Sequence, residues 1–95
     1  MKRYVSLLRF TAQGAKAIKH SPARAQAFCR AAAKAGVKVE ALYWTTGPYD
    51  GVLVLAAKEE RQALGALTRL AALGNVQTQT MAAFDAKEFS AILRA

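Results

Sequence analysis

The hydrophobic pattern along this chain changes period several times, and each change marks an element. Residues 4–10 are apolar at both parities: Tyr4, Ser6, Leu8 and Phe10 line one face of a strand, Val5, Leu7 and Arg9 the other. A strand that is mainly apolar above and below belongs in the middle of a sheet. Thr11 predicts a cap for a short helical turn over residues 12–16. Ser21-Pro22 predicts the start of a longer helix, with serine as the cap and proline in the first helical position. Across residues 23–35 the period is helical. Ala25, Phe28, Cys29 and Ala32 fall at i, i+3, i+4 and i+7 and form a buried stripe, whereas Arg24, Gln26, Arg30 and Lys34 point largely elsewhere. Gly36 ends the run.

The stretch 42–55, Leu-Tyr-Trp-Thr-Thr-Gly-Pro-Tyr-Asp-Gly-Val-Leu-Val-Leu, organises the rest. It predicts a strand, a tight turn and a second strand. Tyr43, Trp44, Thr45 and Thr46 suit a pleated surface, as do Val52 and Val54. Gly47 and Gly51 bracket Pro48-Tyr49-Asp50, a five-residue connection of hairpin length. Before the turn, Lys38, Glu40, Leu42 and Trp44 alternate with Val37, Val39, Ala41 and Tyr43, so one face is partly polar. After it, residues 52–57 carry no polar side chain, which again predicts a central strand. A second helix is expected over residues 59–73, with Glu59 and Glu60 at its positive end and a stripe of Leu64, Leu67 and Ala71 widened by Leu70. Gly74-Asn75 closes it. Residues 76–84 read as a strand whose alternating Gln and Thr imply an edge with one wet face or a polar pocket. Asp85 caps a terminal helix holding Phe89, Ile92 and Leu93.

The order is strand, helix, strand, strand, helix, strand, short helix. With helices on one face and right-handed crossovers, it predicts an α+β fold, the ferredoxin-like βαββαβ sandwich on a four-stranded antiparallel sheet. The first and third strands are central in that topology, and they are the two that demand burial on both faces. Two helices cover one face only. The other is expected to pack on a second copy through a two-fold axis, as a homodimer.

Length and charge refine this picture. Ninety-five residues predict a single domain spanning 1–95. No apolar run reaches the roughly 20 residues that span a bilayer. The opening Met1-Lys2-Arg3-Tyr4-Val5 lacks the apolar core of a signal peptide. The single cysteine, Cys29, cannot form an internal disulfide, so a cytoplasmic setting is the expectation. The net charge is +8, and residues 1–39 hold nine Lys or Arg and no Asp or Glu. Such a bias suits nucleic acid, acidic lipid or an anionic small molecule, but a solvated helix face explains it as simply.

Several separated motifs resemble one known family. They are residues 4–7 (Tyr-Val-Ser-Leu), the helix start 21–25 (Ser-Pro-Ala-Arg-Ala), the strand 42–45 (Leu-Tyr-Trp-Thr) running into Gly47-Pro48-Tyr49-Asp50, and residues 73–76 (Leu-Gly-Asn-Val). Together they look like the GYD-domain family, named for the glycine, tyrosine and aspartate of the turn. Here Pro48 separates Gly47 from Tyr49, a departure from strict adjacency. The resemblance covers nearly the whole chain. It implies a small protein of dimeric α/β-barrel type, and no established reaction.

Candidate ligand-binding residues follow from side-chain chemistry. Tyr49 and Asp50 offer polar groups at the rim, although a Gly/Pro/Asp cluster has a full explanation as a turn, with Asp50 bonding its amides and Tyr49 packing over the hairpin. Tyr43 and Trp44 could line a pocket for a flat molecule. As neighbours on a strand they face opposite sides, so one at most lines any given pocket. Thr45, Thr78 and Thr80 could place hydroxyls in a cavity, but threonine is also simply a good strand former. His20 lies in a basic loop beside Lys19. One histidine without a second ligand makes no metal site, and no metal or cofactor is expected. Cys29 falls on the buried stripe, which favours packing over reactivity.

Three functions fit these residues. The first is a dimeric barrel binding a small, largely apolar or anionic molecule. Cofactor-free oxygenases and isomerases share such barrels, but that is analogy of fold. The second is a structural or regulatory assembly subunit, in a dimer or a higher oligomer. The third is an RNA-binding module, which is disfavoured because the third strand offers no aromatic ring for stacking bases.

Overall fold

The computed structural model describes residues 1–95. The chain forms β1 (Lys2–Phe10), α1 (Ala12–Lys16), a 3-10 turn (Ile18–His20), α2 (Ser21–Lys34), β2 (Val37–Trp44), β3 (Gly51–Ala57), α3 (Glu60–Ala72), β4 (Val76–Ala83) and α4 (Ala86–Arg94). The four strands make one antiparallel sheet in the order β2-β3-β1-β4. This is the expected ferredoxin-like arrangement, with β1 and β3 in the middle and β4 at an edge.

The register explains why the two faces differ. Tyr4 pairs with Leu55 and Ser6 with Leu53 across β1 and β3. These residues face α2 and α3, and with Val37, Ala32, Ala57, Ala63, Ala66 and Leu67 they form the core. Val5 and Leu7 on β1, and Val52 and Val54 on β3, face the opposite way and stay partly exposed. The molecule measures 48 × 31 × 17 Å. Its thinnest dimension is about that of one sheet and one helix layer, so nothing in the chain covers the open face.

Local chemistry sets the element ends. Thr11 caps α1 by accepting from the Gly14 amide at 3.1 Å, and its own hydroxyl donates to the Gly74 carbonyl at 2.6 Å. A side chain at position 14 would strike the Asn75 carbonyl, so glycine is what allows α1 to lie against the turn after α3. Glu59 and Gln62 form a capping box on α3. Asp85 and Glu88 form another on α4, at 2.8 and 2.9 Å.

Four expectations are corrected. Ser21 is not the cap of α2: it is already helical, at φ −58° and ψ −45°, and His20 occupies the cap position without a side-chain bond. The buried line of α3 runs through Ala63, Ala66 and Leu67, with Leu70 packed against it, while Leu64 and Ala71 are exposed. Alanines let the helix axis approach the sheet closely, so the contact follows small residues rather than large ones. The β2–β3 connection spans residues 45–50, because Gly51 already belongs to β3. Finally, β2 carries a bulge between Val39 and Ala41. The extra residue, Glu40, inverts the alternation beyond it. Val37 and Val39 therefore share the helix-facing side with Leu42 and Trp44, while Ala41 and Tyr43 turn to the open face.

Candidate functional site

An apolar cavity of about 70 Å³ opens between the sheet and the helices, beside Trp44. Its floor is Leu8 and Phe10 of β1, Leu42 of β2 and Leu53 of β3. Ala25 and Phe28 of α2 form one wall, and Leu70, Leu73 and Val76 another. The β2 bulge places Leu42 and Trp44 here, on the helix side of the sheet.

Polar groups are few. The Trp44 indole Nε1 donates to Ser21 Oγ at 2.9 Å, tying β2 to the first turn of α2. This bond is where the Ser21 hydroxyl goes instead of capping its helix. Arg24, three residues further along α2, does not extend into solvent as its place beside the helical stripe implied. Its guanidinium folds back, Nη1 donates to the Ala17 carbonyl at 2.8 Å, and Nη2 is shielded from solvent without an acceptor. Asp50 lines the cavity from the other side. Its Oδ2 accepts from the Phe10 amide at 2.8 Å, and its own amide donates to the Leu8 carbonyl at 2.8 Å. The Asp50 carboxylate thus ties the β2–β3 connection to the end of β1, while its main-chain carbonyl closes the connection by accepting from the Thr45 amide at 2.9 Å.

The remaining candidates scatter. Tyr43 borders the cavity, but its ring belongs to the open face and the residue is 64% exposed. Thr45 closes the connection, its Oγ1 donating to the Tyr49 carbonyl at 2.7 Å. Tyr49 does not pack over the hairpin. It reaches across the open face, where its hydroxyl donates to Gln79 Oε1 at 2.8 Å and the Arg9 guanidinium lies 4.7 Å from its ring centre. Thr80 shares a hydrogen bond with Ser6 at 2.9 Å beneath the helices, and Thr78 sits opposite Leu8 in the register. His20 is exposed at the start of α2. The structure therefore gathers Trp44, Asp50 and the edge of Tyr43, and adds Ser21, Arg24 and Asn75. Ser21 and Arg24 at i and i+3 were the one available signal for this pairing.

The open face has its own geometry. Val5, Leu7, Val52, Val54 and Ala41 form an apolar middle, continued by Met81 on β4. At one end Arg3 Nε meets Glu40 Oε1 at 2.6 Å and Arg3 Nη1 meets Glu88 Oε1 at 3.6 Å. Arg3 lies opposite Ala56 in the register, so the Arg3–Glu40 pair spans β3 above Ala56, which is buried. The hydrogen bond and charge of Arg3 hold the Glu40 carboxyl below its usual range, and Glu40 in turn raises Arg3. At the other end stand Arg9, Tyr49 and Gln79. An apolar centre with polar ends is the anatomy of an interface. Beside it, α4 makes no substantial packing contact with the rest of the chain. Its Phe89, Ile92 and Leu93 are exposed, as is Phe84 before it. No group of three or more His, Cys, Asp or Glu is placed to hold a metal ion, and no helix is long and apolar enough to cross a membrane.

Comparison with known proteins agrees with the fold. The chain is 30% identical over 95 residues to a protein of Thermus thermophilus named glutamine synthetase and cystathionine beta-lyase binding protein, covering 99% of this chain and 100% of that one. A crystal structure of a Thermus thermophilus protein superposes with a TM-score of 0.57 at 28% identity, over 90% of this chain and 96% of the other. The GYD domain pattern matches residues 4–93. The chain belongs to the GYD domain family.

Proposed function

We propose that this is a binding protein that works as a homodimer, its two sheets packed face to face, and that it acts by docking on larger enzymes. The observation that carries the proposal is the pair of apolar surfaces the chain leaves uncovered: the open sheet face and the stripe of α4. A face of four strands about 4.8 Å apart, each about seven residues long, presents roughly 450 Å² in projection. Two such faces, with α4 of each copy laid on its partner, approach the ~1,200–2,000 Å² of a stable interface. The face is also self-complementary in charge, since Arg3 and Arg9 occur with Glu40 and Glu88 on the same surface. The name of the Thermus relative describes that protein as binding two enzymes, which supports protein partners for this one. Localisation in the cytoplasm, where such enzymes work, fits the same proposal.

Light scattering at micromolar concentration tests the self-pairing. A dimer is expected, and Val54→Lys, which plants a charge at the centre of the face, is expected to give a folded monomer. A monomeric wild-type protein overturns it. Immobilised dimer should then retain glutamine synthetase or cystathionine beta-lyase of its own organism, and loss of both overturns the docking role.

The cavity beside Trp44 favours a second reading that is compatible with the first: a small, largely apolar molecule binds between sheet and helices. Most of the lining is hydrophobic and it opens to solvent, as ligand sites do.

A further inference from the structure

The cavity has a chemical polarity that its apolar walls conceal. Ser21 Oγ accepts the Trp44 indole proton, so the serine's own O–H is left to donate, and no partner takes it. Arg24 Nη2 is shielded from solvent and has no acceptor, while Nη1 is fixed on the Ala17 carbonyl. Both residues line the cavity from the first turn of α2. That turn contains no acidic residue, and its cap position offers no side-chain hydrogen bond. The positive end of a 14-residue helix is therefore neutralised by nothing nearby on its own element. Asn75, at the same cavity, uses its Oδ1 to accept from Gln13 at 3.0 Å, which leaves its amide N–H groups as further donors. Residues with donors that lack acceptors thus line the cavity where its apolar walls meet α2, and a buried guanidinium nitrogen without an acceptor costs free energy until one arrives.

We infer that the cavity binds a small monocarboxylate, with its carboxylate on Arg24 Nη2 and the Ser21 hydroxyl and its hydrocarbon body among Phe28, Leu42, Leu53 and Leu70. This rests on the reading of the cavity as a small-molecule site and specifies its ligand. A carboxylate is all acceptor, so it satisfies these donors without adding an unpaired one of its own. Asp50, on the opposite side, limits the ligand to a single negative charge and keeps that charge at the α2 end. The cavity volume of about 70 Å³ sets the body. It is well under the roughly 150 Å³ that admits benzene in an apolar protein cavity, so a short branched chain fits better than a ring. The carboxylate remains at the mouth.

Calorimetric titration with 4-methylpentanoate and with its neutral amide, 4-methylpentanamide, tests this on the full chain. The carboxylate should bind at least about tenfold more tightly than the amide, as expected for a charge-assisted bond. Arg24→Gln should remove that preference, and an unchanged thermal unfolding transition shows that the variant is folded. The Trp44 indole proton resonance should shift on binding in the wild type. Equal affinity for acid and amide, or a preference that survives Arg24→Gln, overturns the carboxylate assignment and leaves the small-molecule site standing. Binding of neither compound at millimolar concentration overturns the site itself.

Discussion

The two faces of the sheet are built from the same strands and have opposite fates. On β3, Leu53 and Leu55 are fully buried under the helices, while Val52 and Val54, their immediate neighbours in sequence, are partly exposed. One set is leucine and the other valine, both apolar, so hydrophobicity alone does not say which is covered. Strand alternation sends them to opposite sides, and only one side receives helices. An apolar pattern therefore states a demand for cover without naming its source. Where the chain supplies the cover, the result is a core; where it does not, the demand passes to another molecule.

Replacing residues from each set breaks or sharpens this contrast. Leu55→Ala removes a fully enclosed side chain and should cost about 2–5 kcal/mol in chemical denaturation, at any protein concentration. Val54→Ala, one residue away, should cost under about 1.5 kcal/mol in dilute solution, and more as concentration rises, because a second copy adds its burial by mass action. If both variants lose the same stability at all concentrations, the open face has no partner copy. A smaller effect is expected at the join between layers. Trp44→Phe keeps the ring packing but gives up the bond to Ser21, for a loss of about 1 kcal/mol measured by thermal or chemical unfolding.

The smallest effects come from titration, and each face has its own. On the open face, Arg3 depresses the Glu40 pKa below the ordinary 4.5. The stability from this pair is complete above pH 4.5 and is lost as pH falls through the lower, folded value. Glu40→Gln should flatten that acid limb. On the helix side, burial raises the Tyr4 phenol above its usual 10.0, with Glu60 adding to the effect. Its contribution is complete below pH 10.0 and is lost as pH rises through the higher, folded value. Tyr4→Phe should flatten the alkaline limb. Stability curves against pH in the wild type and the two variants check both signs.

The legible features share a property: their cause is local or periodic. Asp85 with Glu88 marks the start of α4, Thr11 that of α1, and the polar-free run 52–57 announces a central strand. The candidate site was half legible. Trp44 and Asp50 stood out as residue types, but Arg24 did not, because a basic residue beside a helical stripe is usually solvated. Its folded-back course depends on reaching the Ala17 carbonyl, which also accepts the His20 amide of the 3-10 turn, and no spacing rule encodes that. The side-chain bonds assigned to Asp50 differ for a similar reason, since its carboxylate serves Phe10, 40 residues away in sequence.

By itself the sequence determined the order of elements, the central places of β1 and β3, the caps of α1 and α4, and the presence of one apolar sheet face too many. These depend on side-chain period and nearest-neighbour chemistry, which a linear pattern records. Only the tertiary structure decided which side of β2 faces the helices. The bulge at Glu40, accompanied by the ion pair to Arg3 across β3, moves Leu42 and Trp44 under the helices and so creates the cavity. A bulge of one residue inverts every side chain beyond it, and its position here is tied to a contact between residues 37 apart in the chain.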